Sequence, residues 1–190
     1  MGSAYVTRKR FDKENFAEEP LPKGEYDGCS FTQCDFSNAN LSESNFISCE
    51  FCGCNLSMAK LNKTSWQEVT FKECKMLGLR FDQSNPFNFS VNFENTSLNH
   101  SSFYKLKMKK TVFRNSQLQE VDFTECDLTH SIFDACDLTR ATFENTNLEK
   151  VDFRTSFNYS IDPEINRIKK ARFSLNGITG LLNKYDIEID

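Results

Sequence analysis

Large apolar side chains return every five residues along most of this 190-residue chain, and no ordinary element of secondary structure has that period. A helix repeats near 3.6 and a strand at 2, so neither would bury Phe133, Leu138 and Phe143 on one face. Counting back in fives from Phe81 gives Met76, Phe71, Trp66, Leu61, Leu56, Phe51, Phe46, Leu41, Phe36, Phe31 and Tyr26. A second register runs from Phe93 through Leu98, Phe103, Met108, Phe113, Leu118, Phe123, Leu128, Phe133, Leu138, Phe143 and Leu148 to Phe153.

The positions around each of these centres are also restricted. Two residues earlier the side chain is small, as at Cys34, Ala39, Ser44, Cys49, Cys54, Ala59, Ser116, Ser131 and Ala141, with Leu79 and Leu106 as large exceptions. One residue earlier it is often Asp or Asn, as at Asp35, Asn40, Asn55, Asp127, Asp137 and Asp152. This pattern resembles the pentapeptide-repeat family, whose consensus is A-(D/N)-L-x-x. The resemblance covers roughly residues 24–155. It implies an all-β fold, a right-handed quadrilateral β-helix in which four pentapeptides close one coil. The centre and the small residue then both point inward.

The charges test that coil independently. Residues one coil apart should stack at about the 4.7–4.9 Å strand spacing, where opposite charges help and like charges hurt. The opposite pairs are Glu43/Lys63, Glu94/Arg114, Lys105/Glu125, Lys107/Asp127, Arg114/Asp134, Glu120/Arg140 and Asp134/Arg154, against one like pair, Lys60/Arg80. The second register also alternates Phe with Leu or Met, which puts Phe on two opposite sides of the coil and fills each layer evenly.

Between Phe81 and Phe93 the register slips by two, around the turn signal Asn85-Pro86. The expected organisation is an N-terminal cap of degenerate repeat (1–23), a first stack (24–83), a register-shifting loop (84–90), a second stack (91–157) and a C-terminal module (158–190). In the cap, Phe11, Phe16 and Leu21 keep the register, but Lys9, Glu14 and Glu19 stand in the slots for small inward residues. In the C-terminal module, Asp162-Pro163-Glu164 predicts a helix start, with Ile165 and Ile168 sharing a face. Ser174 predicts the cap of a second helix carrying Leu175, Ile178, Leu182 and Tyr185 at helical spacing, with Leu181 beside them. Ile187 and Ile189 alternate with acids, as in a short strand. The tail resembles the module through which quinolone-resistance-type members of the family dimerise. That makes Leu175, Ile178, Leu181, Leu182, Tyr185 and Ile187 the expected homodimer interface, unless they only cap their own coil.

Catalytic and metal chemistry are not expected. Seven of eight cysteines (Cys29, Cys34, Cys49, Cys54, Cys74, Cys126 and Cys136) fall in the inward slot, and only Cys52 points out. Zinc needs convergent ligands, which this arrangement divides between inside and outside. His100 and His130 both point outward on opposite sides, and there is no phosphate loop, nucleophile elbow or metal-helix motif. No cofactor or small-molecule substrate is implied, and the chain reads as a non-enzymatic, cytoplasmic protein without a secretory signal or a membrane span.

A net charge of -4 disfavours direct binding of nucleic acid. The excess acid is concentrated: residues 117–152 hold nine acids and two bases, net -7, including Asp122, Glu125, Asp127, Asp137 and Glu144. Two uses of such a rod stay open. One is a homodimeric protein-interaction surface with an unspecified partner. The other, implied by the resemblance, is binding to a type II topoisomerase, DNA gyrase or topoisomerase IV, as a mimic of duplex DNA. The long projecting loops that commonly accompany that activity are reduced here to the short insertion at Asn85-Pro86.

Overall fold

A computed structural model describes residues 4–188. The chain winds as one right-angled coil, and short parallel strands lie along two of its sides. On the first side stand β1 (Ala4–Thr7), β3 (Gly24–Asp27), β5 (Asn45–Ile47) and β7 (Ser65–Gln67), hydrogen-bonded in that order. On the second stand β2 (Arg10–Asp12), β4 (Ser30–Thr32), β6 (Glu50–Cys52), β8 (Val69–Lys72), β9 (Val91–Glu94), β10 (Val112–Arg114) and β11 (Ile132–Asp134). Partners are 20 residues apart, as Tyr26 with Phe46 or Phe113 with Phe133. The third and fourth sides are joined by isolated bridges at the same offset, such as Asp35 with Asn55 and Asn40 with Lys60.

Five residues turn a corner because one of them takes a left-handed backbone. Gln33, Asn38, Glu43, Ser48, Met58, Lys63, Glu125 and Arg140 all have φ between 49° and 60°. Each left-handed L-residue costs on the order of 1–2 kcal/mol. Backbone hydrogen bonds to the neighbouring coils and the packed interior offset that cost. The centres are buried, and Phe31, Phe51, Phe71, Phe103, Phe113 and Phe123 have no exposed surface. Their rings form columns along the rod. On the second side Phe11, Phe31, Phe51, Phe71, Phe93, Phe113, Phe133, Phe153 and Phe173 stack face to face at 4.6–5.5 Å. A second Phe column, Phe81, Phe103, Phe123 and Phe143, occupies the opposite side in the later coils, meeting the first edge to face. The alternation of Phe with aliphatics predicts this placement.

The inward slot has its own hydrogen-bond rule. Thiols and hydroxyls there donate to the carbonyl 23 residues earlier, that of a centre in the preceding coil: Cys54 to Phe31 at 3.3 Å, Thr64 to Leu41 at 2.8 Å, Cys126 to Phe103 at 2.8 Å, Ser131 to Met108 at 2.9 Å. The slot therefore takes side chains that are small and able to satisfy a buried carbonyl.

The loop expected to divide the rod into two stacks does not interrupt it. β8 pairs with β9 at an offset of 22, Phe71 opposite Phe93, so two extra residues are absorbed and the ladder continues. They widen the first side after Gln83, whose carbonyl still accepts from Lys63 N. The widening lies beside Trp66, the largest plug, whose Nε1 donates to Ser84 Oγ at 3.2 Å. A buried indole needs that acceptor.

At the N-terminal end β1 and β2 make the degenerate repeat a layer of the coil, with Phe11 and Phe16 stacked on Phe31 and Phe36. The C-terminal end departs from expectation. There the helix predicted from Asp162-Pro163-Glu164 is a single turn. Asp162 Oδ1 accepts from Glu164 N, and the coil then resumes, with Arg167 bridging Asn147 and Arg172 bridging Asp152. Asn166 occupies Thr146's slot one coil on and donates to the Phe143 carbonyl at 2.8 Å. The ladder already in place outweighs a local helix signal. The second predicted helix is two 3-10 turns, Ile178–Leu181 and Asn183–Tyr185, and residues 186–188 form no strand. Ile189 lies outside the described residues. Ser174 does not cap the first of these turns, whose N-cap is Gly177 without a side-chain bond; its Oγ accepts from Gly177 N at 3.0 Å, in the turn just before.

Candidate interaction surfaces

Because the interior consumes the centres and slots, chemistry is left to the outward positions. The seven inward cysteines are buried and unpaired. Burial pushes the Cys34 and Cys136 thiols up to about 11, and Cys49 and Cys126 up to about 12. Cys54 is raised by its contact with Cys74 and by burial. These thiols are inert packing groups. Among the described residues no group of His, Cys, Asp or Glu is arranged to hold a metal ion. His100 is exposed, with Nδ1 3.2 Å from Glu120. No helix of the described residues is long and apolar enough to cross a membrane.

The acidic residues do not share one face. Asp122, Glu125 and Glu144 lie together on the fourth side: Asp122 bridges Thr142, and Glu125 N donates to the Glu144 carbonyl at 2.8 Å. Asp127 belongs to the next side, bridging Asn147, and Asp137 to the one before, bridging Phe157. These five therefore spread over three sides of the coil. Asp127 and Asp137 are also tied down. Burial works to raise Asp127, but the Thr129 hydroxyl and amide and the Lys109 ammonium, 3.2 Å away, outweigh it and hold the carboxyl below its usual range. For Asp137 burial is outweighed by Thr139, Gln119 and Asn158. Glu125 is contacted by Tyr104 Oη at 3.1 Å and Lys105 Nζ at 3.5 Å. Asp122 and Glu144 are in no ion pair among the described residues.

Three of the seven expected cross-coil pairs close: Lys105–Glu125, Arg114–Asp134 at 3.3 Å and Arg140–Glu120 at 3.3 Å. Elsewhere the partner changes. Glu43 is met by Lys23 at 2.5 Å, Asp127 by Lys109, and Arg154 turns to Asp152 at 2.7 Å. Exposed pairs of this kind are screened by solvent and contribute little each.

The C-terminal apolar residues split into two groups. Leu181 packs on the core, with Leu182 half-buried behind it. Leu175 is 86% exposed, and Ile178, Tyr185 and Ile187 are close to half exposed. The segment is fastened by Tyr159, which spacing alone did not single out. Gly180 lies so close that a Cβ there would meet the Tyr159 carbonyl at 2.4 Å, and Gly180 O accepts from Ile161 N at 2.9 Å. Lys184 bridges Asp162 and Glu164 at 2.7 Å each, and Tyr185 Oη donates to Glu164. The Gly177-x-x-Gly180 spacing was the available signal.

Comparison with known proteins agrees with this architecture. The family described as pentapeptide repeat region matches residues 25–89 and 87–153. Two trypsin-treated variants of QnrB1, a plasmid-mediated fluoroquinolone resistance protein, superpose with a TM-score of 0.64 each. One is 18% identical and covers 99% of this chain and 98% of its own; the other is 16% identical and covers 100% of both. HetL from the cyanobacterium Nostoc sp. strain PCC 7120, involved in heterocyst differentiation regulation, is 13% identical, covering 90% of this chain and 88% of its own with a TM-score of 0.41. No curated protein matches the sequence.

Proposed function

The chain belongs to the pentapeptide-repeat family, and from that premise we propose that it is a non-enzymatic, cytoplasmic protein-interaction rod that works as a homodimer. One observation carries the reading: the internal coils spend their centre and slot residues on the interior, so the outward side chains vary with little effect on the frame. Leu175, Ile178, Tyr185 and Ile187 form the self-association surface at the C-terminal end, with Leu181 and Leu182 anchoring it to the coil. An apolar cluster of that kind exposed at one end of a polar rod fits contact with a second copy. Light scattering tests this: the parent has twice the chain mass, and Leu175→Asp returns it to one chain. A parent that runs as one chain at all concentrations removes the dimer.

A second reading rests on the acidic band. Duplex DNA carries one charge per roughly 1.7 Å. Asp122 and Glu144, in no ion pair among the described residues, supply with Glu125 a local negative strip suited to a basic groove, which the charge of Arg80 near Asp122 weakens. The partner of this reading is a type II topoisomerase, DNA gyrase or topoisomerase IV, as for the quinolone-resistance members this chain resembles. Lys105 and Lys109 one coil away mute the field, so the interaction rod remains the main reading. Purified gyrase decides it: inhibition of supercoiling at micromolar chain, weakened by Asp122→Asn with Glu144→Gln, supports mimicry. No binding at that concentration eliminates it for that enzyme.

A further inference from the structure

We propose that the N-terminal face of the rod is a guarded end, built so that a second copy of this chain cannot add its own N-terminal face there. Among the described residues β1 and β2 are the terminal strands of their sheets, each paired on one edge only, with β3 and β4. A free edge over an apolar interior is a template for another chain. Every internal coil shows what a receptive layer requires: a flat ring for the next ring to stack on, and a small slot residue reaching the coil before it.

The first coil denies each requirement. Lys9, Glu14 and Glu19 occupy the slots that Cys29, Cys34 and Ala39 fill one coil later, and all three are exposed. Phe11 stacks on Phe31 at 4.7 Å through one face, while Lys9 Nζ lies 4.6 Å from its ring centroid. The ammonium thus holds a cation–π contact on a ring that would otherwise be open to another aromatic. Lys9, Glu14 and Glu19 line the same end hollow as Phe16 and Leu21, so an incoming layer would have to take three charges out of water. On the fourth side Pro20 and Pro22 flank Leu21, and neither has an N–H to offer a new strand.

The occupant being excluded is a like end. The C-terminal end is covered by residues 174–188, with Gly177 and Gly180 against Tyr159 and Leu181 on the core. That leaves head-to-head addition, two first coils meeting ring to ring, as the association the guard prevents. It is separate from the C-terminal contact proposed above.

The test removes the guard in a Leu175→Asp background, so that C-terminal association does not contribute. Lys9→Ala, Glu14→Ser, Glu19→Ala gives the first coil the side chains internal coils use. Lys9→Met, Glu14→Gln, Glu19→Gln keeps size and removes charge, as a variant that disturbs the fold less. A third removes three outward charges, Lys60→Ala, Glu68→Ala and Glu73→Ala. Circular dichroism checks each fold, and sedimentation equilibrium across the micromolar range reads the mass. The expected result is a concentration-dependent rise to twice the chain mass in the first two variants and a single chain in the third. The proposal is overturned if folded guard variants stay single, or if the outward-charge variant associates equally.

Discussion

The coil and the segment that follows it, residues 174–188, are built from similar amounts of apolar side chain but hold it differently. In the coil Phe113, Phe133 and Phe153 have almost no exposed surface, each ring stacked between two others. In the segment Leu175 is 86% exposed, and the contacts are two glycines, one tyrosine and an ion-pair clasp. The coil is cohesive because every layer repeats the bonds of the last. The segment depends on a few particular residues, and the two should fail separately.

The largest expected effect is in the coil. Phe133→Ala leaves a cavity between two stacked rings and should cost about 3–5 kcal/mol in urea unfolding, while Leu175→Ala should change monomer stability by less than about 0.5 kcal/mol. Comparable losses would erase the distinction. Next comes Gly180→Ala, whose methyl would collide with the Tyr159 backbone and should cost about 1–3 kcal/mol locally. Hydrogen exchange should then rise across 174–188 while the coil amides stay protected. If protection falls along the whole rod, the segment is part of the coil's cooperative unit.

Acid sharpens the comparison further. The hydrogen bond from Lys184 and its charge hold Asp162 and Glu164 below their ordinary range, with Glu164 N helping at Asp162 and Tyr185 at Glu164. Carboxyls depressed in the folded state contribute stability that is present above their unfolded values, near about 4, and lost as pH falls through the folded ones. The segment should therefore loosen below about pH 4, and Lys184→Met should bring it to that loosened state at neutral pH, as hydrogen exchange would read. The coil will feel acid too, since Asp152 is held down by Arg154 and Arg172, so the variant is what isolates the clasp. The smallest change is chemical. At neutral pH an alkylating reagent should add one label to the native chain, at half-buried Cys52, and reach the seven buried thiols only on unfolding. Rapid native labelling of Cys54 or Cys126 would mean the interior opens.

The same contrast explains what was legible in the sequence. The coil could be read because one rule recurs through most turns: most often Phe or Leu at the centre, and Cys, Ser, Thr or Ala two before it. The seven inward cysteines and the opposed Phe columns follow from counting. The exact ion pairs did not, because an exposed Lys or Arg reaches either neighbour at little cost, as Lys109 does for Asp127 in place of Lys107. The acid-rich stretch could be counted along the chain, but the coil distributes it, with Asp127 and Asp137 on different sides from Asp122. At the C-terminal end, helical spacing from Leu175 to Tyr185 competed with close packing on Tyr159, and packing produced 3-10 turns. The offset from Phe153 to Phe173 was the overlooked sign that the coil goes on.

The two residues added beside Trp66 leave the sheet intact on the neighbouring side, where β8 and β9 pair without a gap. A corner of this frame is therefore a place where length is free to change while the lattice of layers is not. New material carried at Pro86 and Phe87 would hang outward like a hook on a rail, acquiring or losing a grip on other molecules while the rail keeps its gauge.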